Sequence, residues 1–529
     1  MILRRIITLF WLLVCASQAH AALDPALVHQ LAADDSDQKI AAIHALVRAA
    51  GTEAIPVLKA LSQDALYVAG QKTLIIEDDH AIDAVTGEQV TPVPENPDAI
   101  TINNRVRGKL ADVLALLKLF DPSRDRRLTA TKELEHDLDP AIAPVLERAL
   151  AKESDPEIKA RLTLALAQVN LKNPDAAIRL AAVKALSASG NPRMKVRLKA
   201  LLDKNIEPDD KVRLAARTSL HAIETRIAIG EDISQVFSGL SLGSVLLLAA
   251  LGLAITYGVM GVINMAHGEL LMVGAYATFG VQTLFRHYFP GALDWYVVAA
   301  IPVAFFGAAL VGMLMERTVI RWLYGRPLET LLATWGISLI LIQTARVIFG
   351  AQNVEVANPS WMSGSVQIMS NVVLPWNRMI IIGFALFVLA LVWVLLNRTR
   401  LGLFVRAVTQ NRAMAGCVGV PTGHIDTLAF GLGAGIAGLG GVALSQIANV
   451  GPDMGQGYIV DSFMVVVLGG VGQLAGAVWA ALGLGIASKF LEGWTGAVIA
   501  KIVVLTFIII FIQKRPQGLF ALKGRFVES

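Results

Sequence analysis

Two cysteines in 529 residues exclude both a disulfide framework and a cysteine-based zinc site. Cys15 falls in a stretch that reads as a removable leader, which leaves Cys417 alone. Charge is scarce too. Only 17% of residues are Asp, Glu, Lys or Arg, against about 25% in ordinary soluble domains, while 55% are hydrophobic and the mean hydropathy is +0.58. That balance excludes one ordinary soluble globule. No Gly-x-x-x-x-Gly-Lys-Ser/Thr run occurs, and Gly70-Gln71-Lys72-Thr73 lacks the spacing, so energy from a nucleotide has to enter through another subunit. His29, His44, His80, His136 and His221 contain no i, i+4 pair that would build a metal site on one helix face, and most of them read as solvated. The basic residues of the apolar half sit at the ends of apolar runs and form no patch or stripe, which excludes nucleic acid as a partner.

What is present is two materials in one chain. Residues 1–235 carry 62 of the 88 charges and residues 236–529 the other 26. Met1 to Ala22 has Arg4 and Arg5, an apolar run from Ile6 to Ala16 and then Ala19-His20-Ala21, the order of a secretory signal peptide over 1–22. An extracytoplasmic domain then covers 23–230. Within it Asp121-Pro122, Asp155-Pro156, Asn173-Pro174 and Glu207-Pro208 recur at offsets of 34, 18 and 34 residues, each followed by small and apolar residues at helical spacing. Proline at a first helical position behind an acidic or amide cap starts each helix, and the pairs are expected to stack as a HEAT-like α-solenoid. Residues 66–103 break the pattern with Tyr67-Val68, Thr73 to Ile76, Ile100 to Ile102 and three prolines, which predicts a small β insertion, either a partner surface or a decorated loop.

From 231 onward, apolar runs at 237–258, 268–286, 295–315, 329–349, 378–396, 427–448, 460–488 and 496–513 predict spanning helices. The seventh carries Gly469 to Gly476 at its middle, so it reads as two short passes or a re-entrant element. Two passes give nine crossings. Joints holding Arg317, Arg321 and Arg326, then Arg398 to Arg412, and the tail from Lys514 to Arg525 are rich in cations, which places them in the cytoplasm and the start of the first span outside.

Polar residues inside apolar sequence are costly and point to function. Asn264, His267 and Glu269 lie between Gly261 and the second span, either beside a cavity that takes a polar solute or in a tight cytoplasmic hairpin. Asp461 and Lys501 pair, or Lys501 snorkels, the better reading. Small residues saturate Phe430 to Ala443, a pattern for close helix packing. Leu403 to Ala415, stopped by Gly416 to Gly419, predicts a short amphipathic helix that docks on a partner or lies on anionic lipid. Two function classes follow: a transport subunit, or a membrane-anchored sensor whose solenoid is the receptor.

Gly239-Leu240-Ser241-Leu242-Gly243-Ser244, Ala250 to Leu253 and Tyr257 to Glu269 resemble the start of the branched-chain amino-acid type ABC permeases, with Arg406 to Val420, Leu468 to Gly472 and Arg515 to Phe520 similar to later motifs. Leu331 to Gly336, Asn358 to Gly364 and Gln473, behind a secreted helical-repeat domain, look like the urea-transporter permeases of that family. The resemblance implies an all-α chain with a polytopic ABC-importer permease domain over 231–529 in the bacterial inner membrane, and no enzymatic activity or cofactor. It implies four kinds of partner: a second homologous permease, two cytoplasmic ATPases, a periplasmic solute-binding protein, and membrane lipid. It also implies a pathway lined by Asn264, His267 and Glu269. ATPase coupling is carried over to Arg406, Ala407, Asn411, Ala415 and Gly419, although this loop departs from the Glu-Ala-Ala form of other importers.

Overall fold

A computed structural model describes residues 23–520 except 71, 78–79, 93, 95–96, 135–141 and 370. The leader expected over 1–22 and His136 lie outside the described residues. The chain is mostly helical and divides into two compact units, the first ending at Ile227 and the second starting at Ala228.

The first unit contains α1 (Pro25–Gln30), α2 (Ser36–Ala50), α3 (Ile55–Ser62), α4 (Asn104–Lys118), α5 (Arg124–Glu133), α6 (Ala143–Lys152), α7 (Pro156–Asn170), α8 (Ala176–Leu186) and α9 (Pro192–Ala200). Side chains of Asp24, Asp35, Asn103, Asp155, Asp175 and Asn191 accept N–H bonds in the first turns that follow them, satisfying donors that a helix start otherwise leaves unpaired. Between α3 and α4 an antiparallel sheet runs in the order β4-β3-β2-β1-β5, from β1 (Leu66–Ala69), β2 (Lys72–Glu77), β3 (His80–Asp83), β4 (Gln89–Val90) and β5 (Asp98–Ala99). Leu66, Leu74 and Ala81 are buried, the alternation expected of a sheet covered on one face. His44 is also buried, an exception to the expectation that most of these histidines are solvated: its position in α2 turns it toward the apolar side of that helix.

The dipeptides ending in proline behave differently from the expectation. Only Pro156 occupies a first helical position; after Pro122, Pro174 and Pro208 the helices start two residues later, at Arg124, Ala176 and Asp210. Carbonyls before these helices are held by an arginine instead. Arg127 donates to the carbonyls of Asp121 and Pro122 and forms two bonds to Glu153, and Arg179 repeats this with Asn173, Pro174 and Glu207 at 2.7–2.8 Å. The guanidinium of Arg179 holds the Glu207 carboxyl below its ordinary range, and Arg127 does the same to Glu153.

A 51-residue helix, α10 (Asp210–Met260), passes through the boundary expected near 230 without a linker. The second unit continues with α11 (His267–Tyr288), α12 (Tyr296–Thr318), α13 (Pro327–Phe349), the hairpin β6 (Ser365–Met369) and β7 (Val372–Pro375), and α14 (Trp376–Arg398). It ends with α15 (Arg400–Gln410), α16 (Arg412–Cys417), α17 (Thr422–Ser445), α18 (Met454–Gly469), α19 (Leu474–Thr495) and α20 (Ala497–Lys514). Seven helices among the described residues are long and apolar enough to cross a membrane. The run over 460–488, read as two short passes or a re-entrant element, is two helices, α18 and α19, because Gly470 and Gly472 adopt positive φ of 101° and 76° and end the first rod. The hairpin β6–β7 was not expected from the sequence.

Glycine-rich α17 is almost wholly enclosed, against α11 and α12. A Cβ on Gly441 would stand 2.0 Å from the Leu271 carbonyl, so the small residues there serve close packing. At one end of the bundle Tyr296, Gln446, Asn377 and the Ala357 carbonyl are hydrogen-bonded together, and Arg346 pairs with Asp453 at 2.8 Å. At the other end Met260 meets Tyr324, and the tail motif docks by Leu519 N–H on the Leu468 carbonyl at 2.8 Å. The ends of α18 therefore sit in different end layers.

Candidate functional site

Helix α10 stops at Met260, where Gly261 takes φ +64°, and residues 261–266 run back non-helically until α11 begins at His267. The depth of that restart follows from two bonds. His267 Nε2 lies 3.0 Å from the Ala249 carbonyl, eleven residues before the end of α10, which is about 16 Å along its axis. Ser338, the middle residue of the 23-residue α13, donates to Glu269 Oε1 at 2.5 Å. The break thus lies inside the bundle, far from a water-facing hairpin, and Asn264, His267 and Glu269 are all buried.

Each of the three keeps one polar atom without a hydrogen-bond partner: Asn264 Nδ2, His267 Nδ1 and Glu269 Oε2. Their roles follow from the bonds they make. Asn264 Oδ1 accepts from Ala266 N–H, which leaves the amide nitrogen as a donor. A carbonyl can only accept, so His267 Nε2 carries the proton and the other nitrogen of a neutral ring is an acceptor. The structure does not bring the three side chains to one point. His267 faces α10, where a Cβ on Gly252 would meet its ring at 3.0 Å, whereas Glu269, two residues on, faces α13 and the start of α18.

On the Glu269 side further residues come together that sequence reasoning passed over. Tyr276, two turns along α11, is buried with an unpartnered hydroxyl and stacks on Phe349 at 4.4 Å. Thr334 accepts from Met265 N–H at 3.2 Å and pins the break to α13. Gly455 admits the carboxylate: a Cβ there would stand 2.0 Å from Glu269 Oε2 and 2.4 Å from the Gly268 carbonyl. The spacing of Glu269 and Tyr276, seven residues on one helix, was the available signal. Among the described residues no group of His, Cys, Asp and Glu side chains gathers that could hold a metal ion.

The loop residues are placed as follows. The helix expected from Leu403 to Ala415 is two helices, because Asn411 leaves helical geometry (φ −153°, ψ 100°) and caps α16 by accepting from Met414 N–H. Arg406 points back and donates to the Leu396 carbonyl and Asn397 Oδ1. Ala415 is buried, Ala407 is half-buried and Gly419, at φ +86°, ends the segment. Lys501 lies 3.3 Å from Asp461, so these two pair; the preferred snorkelling reading gives way because α20 packs beside α18.

Residues 235–513, just over half of the chain, match the family described as branched-chain amino acid transport system / permease component. The chain belongs to that family. The high-affinity branched-chain amino acid transport system permease protein LivH of Salmonella typhimurium is 30% identical over 305 residues, covering 54% of this chain and 94% of its own length. The corresponding BraD of Pseudomonas aeruginosa is 29% identical over 293 residues, covering 54% and 95%. The ribose import permease protein RbsC of Escherichia coli is 27% identical over 285 residues, covering 51% and 73%. No solved structure matches the chain. The permease is therefore a multi-pass membrane protein and a transport component, and its relatives are transport permeases, not enzymes.

Proposed function

We propose that this permease is the membrane subunit of an ATP-binding-cassette importer for urea. A second homologous permease, two ATPases and a solute-binding protein complete it. The observation that carries the reading is the broken helix with buried, unpaired polar atoms at mid-depth, an arrangement used by transporters to bind polar solute. Glu269, Asn264 and Tyr276 face the pathway, and His267 holds the restart of α11 against α10. Among the described residues of the second unit none of the buried polar or charged side chains is Lys or Arg, which suits a neutral solute with N–H donors and a carbonyl. A second reading, a branched-chain amino acid, is favoured by the names of the relatives and by the N-terminus of α11, whose positive end suits a carboxylate. Uptake of labelled urea and labelled leucine in a strain lacking this chain, with and without its restoration, separates the two. Loss of leucine uptake alone overturns the urea reading; loss of neither overturns transport.

The exposed face of α15 and α16 docks an ATPase, and the cation-rich joints put that face in the cytoplasm. Taking α11 and α18 as crossings beside the seven long apolar helices gives nine, with the first unit, as a HEAT-like solenoid, outside. A reporter active only in the periplasm, fused after Ile227, is expected to be active; a silent fusion overturns this topology.

A further inference from the structure

The loop-bearing end of the second unit holds two wholly buried carboxylates, Glu316 and Asp426, that the pathway does not use. Each is neutralised from a different segment. Arg412, at the start of α16, binds both oxygens of Asp426 near the start of α17, and its guanidinium lies over the Tyr324 ring, 4.9 Å from the centroid. Glu316, near the end of α12, accepts from Thr427 at 2.7 Å and from Tyr324 at 3.0 Å, with Arg321 at 3.6 Å. The Tyr324 hydroxyl also lies 3.1 Å from Met260 Sδ. One phenolic proton serves one acceptor at a time, so this hydroxyl has two alternative partners on two elements. Met260 is the last residue of α10, directly before the segment that climbs to Asn264 and Glu269.

We propose that Arg412 and Tyr324 are positioning residues that couple movement of α15 and α16 to the break at 261–266. The proposal rests on the reading of that loop as the ATPase-docking face. Arg412 suits the role by position. Its neighbours Met414 and Val418 are 60% and 72% exposed and available to a partner, while its own guanidinium is fixed inward on Asp426 and Tyr324. A push on α16 reaches Tyr324 through the guanidinium and reaches Met260 through one hydroxyl. Because Gly261 lies in the left-handed region and residues 261–266 carry no helix, the segment beyond Met260 can shift without unwinding a rod. Among the described residues no other side chain bonds to Met260, so the hydroxyl is the polar link between the loop and the end of α10.

The test uses the assembled importer purified with its ATPases and reconstituted in vesicles, with labelled urea and labelled leucine as probes. Tyr324→Phe keeps the ring and removes the hydroxyl; Arg412→Lys keeps the charge and removes the flat guanidinium. Both variants are expected to co-purify with the ATPase and to keep basal ATP hydrolysis. Solute taken up per ATP should fall at least fivefold in Tyr324→Phe and by a smaller factor in Arg412→Lys. A merely structural role would lower assembly and leave that ratio alone. A ratio within twofold of wild type in both variants overturns the relay. Absence of the ATPase from the wild-type preparation overturns the docking reading, and the relay with it.

Discussion

Adding one methyl group at Gly455 should disable the site from a neighbouring helix. A Cβ there would stand 2.0 Å from Glu269 Oε2, 2.4 Å from the Gly268 carbonyl oxygen and 2.5 Å from its carbon, where contact normally needs about 3.5 Å. Two escapes exist. The carboxylate can swing away, which breaks its bond from Ser338, a buried hydrogen bond worth about 0.5–1.5 kcal/mol. It cannot relieve the backbone clash, because Gly268 is in the first turn of α11 and its own Cβ position lies 2.4 Å from the Gly455 carbonyl. The helices must also separate, an overpacking cost of about 1–3 kcal/mol. Charged to the population of the competent site, the overpacking cost alone lowers initial uptake roughly fivefold to a hundredfold, and the lost Ser338 bond deepens that loss. The assay is the initial rate of labelled urea and leucine uptake, normalised to permease abundance in the membrane. Gly457→Ala is the control, since a Cβ at that position meets nothing within 4 Å. If Gly455→Ala transports within twofold of the control at equal abundance, the close approach of α11 and α18 is not what seats Glu269, and the reasoning fails.

His267→Ala removes the bond to the Ala249 carbonyl, leaves a buried void beside Gly252 and should cut uptake roughly tenfold, about 1.4 kcal/mol, with protein level unchanged; wild-type uptake in a normally inserted variant would move the anchor of the break elsewhere. Arg406→Glu should release α15 from the Leu396 carbonyl and Asn397 and reduce ATPase co-purification without preventing insertion, because the residue is exposed and carries no lipid cost; unchanged co-purification refutes its role. The first unit should lose stability in acid. Arg179 lowers the Glu207 pKa in the folded chain, so the unfolded chain binds the proton more tightly and the stabilisation is complete above the ordinary glutamate value of 4.5. It is lost as the pH falls below 4.5 through the lowered folded value. Hydrogen exchange of Pro192–Ala200 in the full-length protein should accelerate over that window and lose this dependence in Glu207→Gln; identical pH profiles would discard the pair as the cause.

The sequence by itself determined the division into two materials, because charge density and apolar run length are properties of composition that no packing can reverse. Its span positions agree with the helices to within a few residues for α12 to α14 and α20, where solvent and lipid leave a run of about 20 apolar residues one stable conformation. The break at Gly261 was equally legible, since glycine beside Asn264, His267 and Glu269 has no place in a continuous lipid-facing rod. What the break does was not. Whether Val262 to Glu269 turns at the surface or climbs into the bundle depends on Ala249, Thr334 and Ser338, residues 18 to 69 positions from the ones they bond, and only packing brings them to it. The same holds for the opposite facing of His267 and Glu269, for Gly455, and for the cluster of Glu316, Arg321, Tyr324, Arg412 and Asp426. In sequence the two arginines of that cluster read as positive-inside charge and Asp426 as the edge of a span. Their pairing was decided by tertiary structure, because burying Glu316 and Asp426 is tolerable only where helices from distant parts of the chain deliver a guanidinium and hydroxyl donors to the same point.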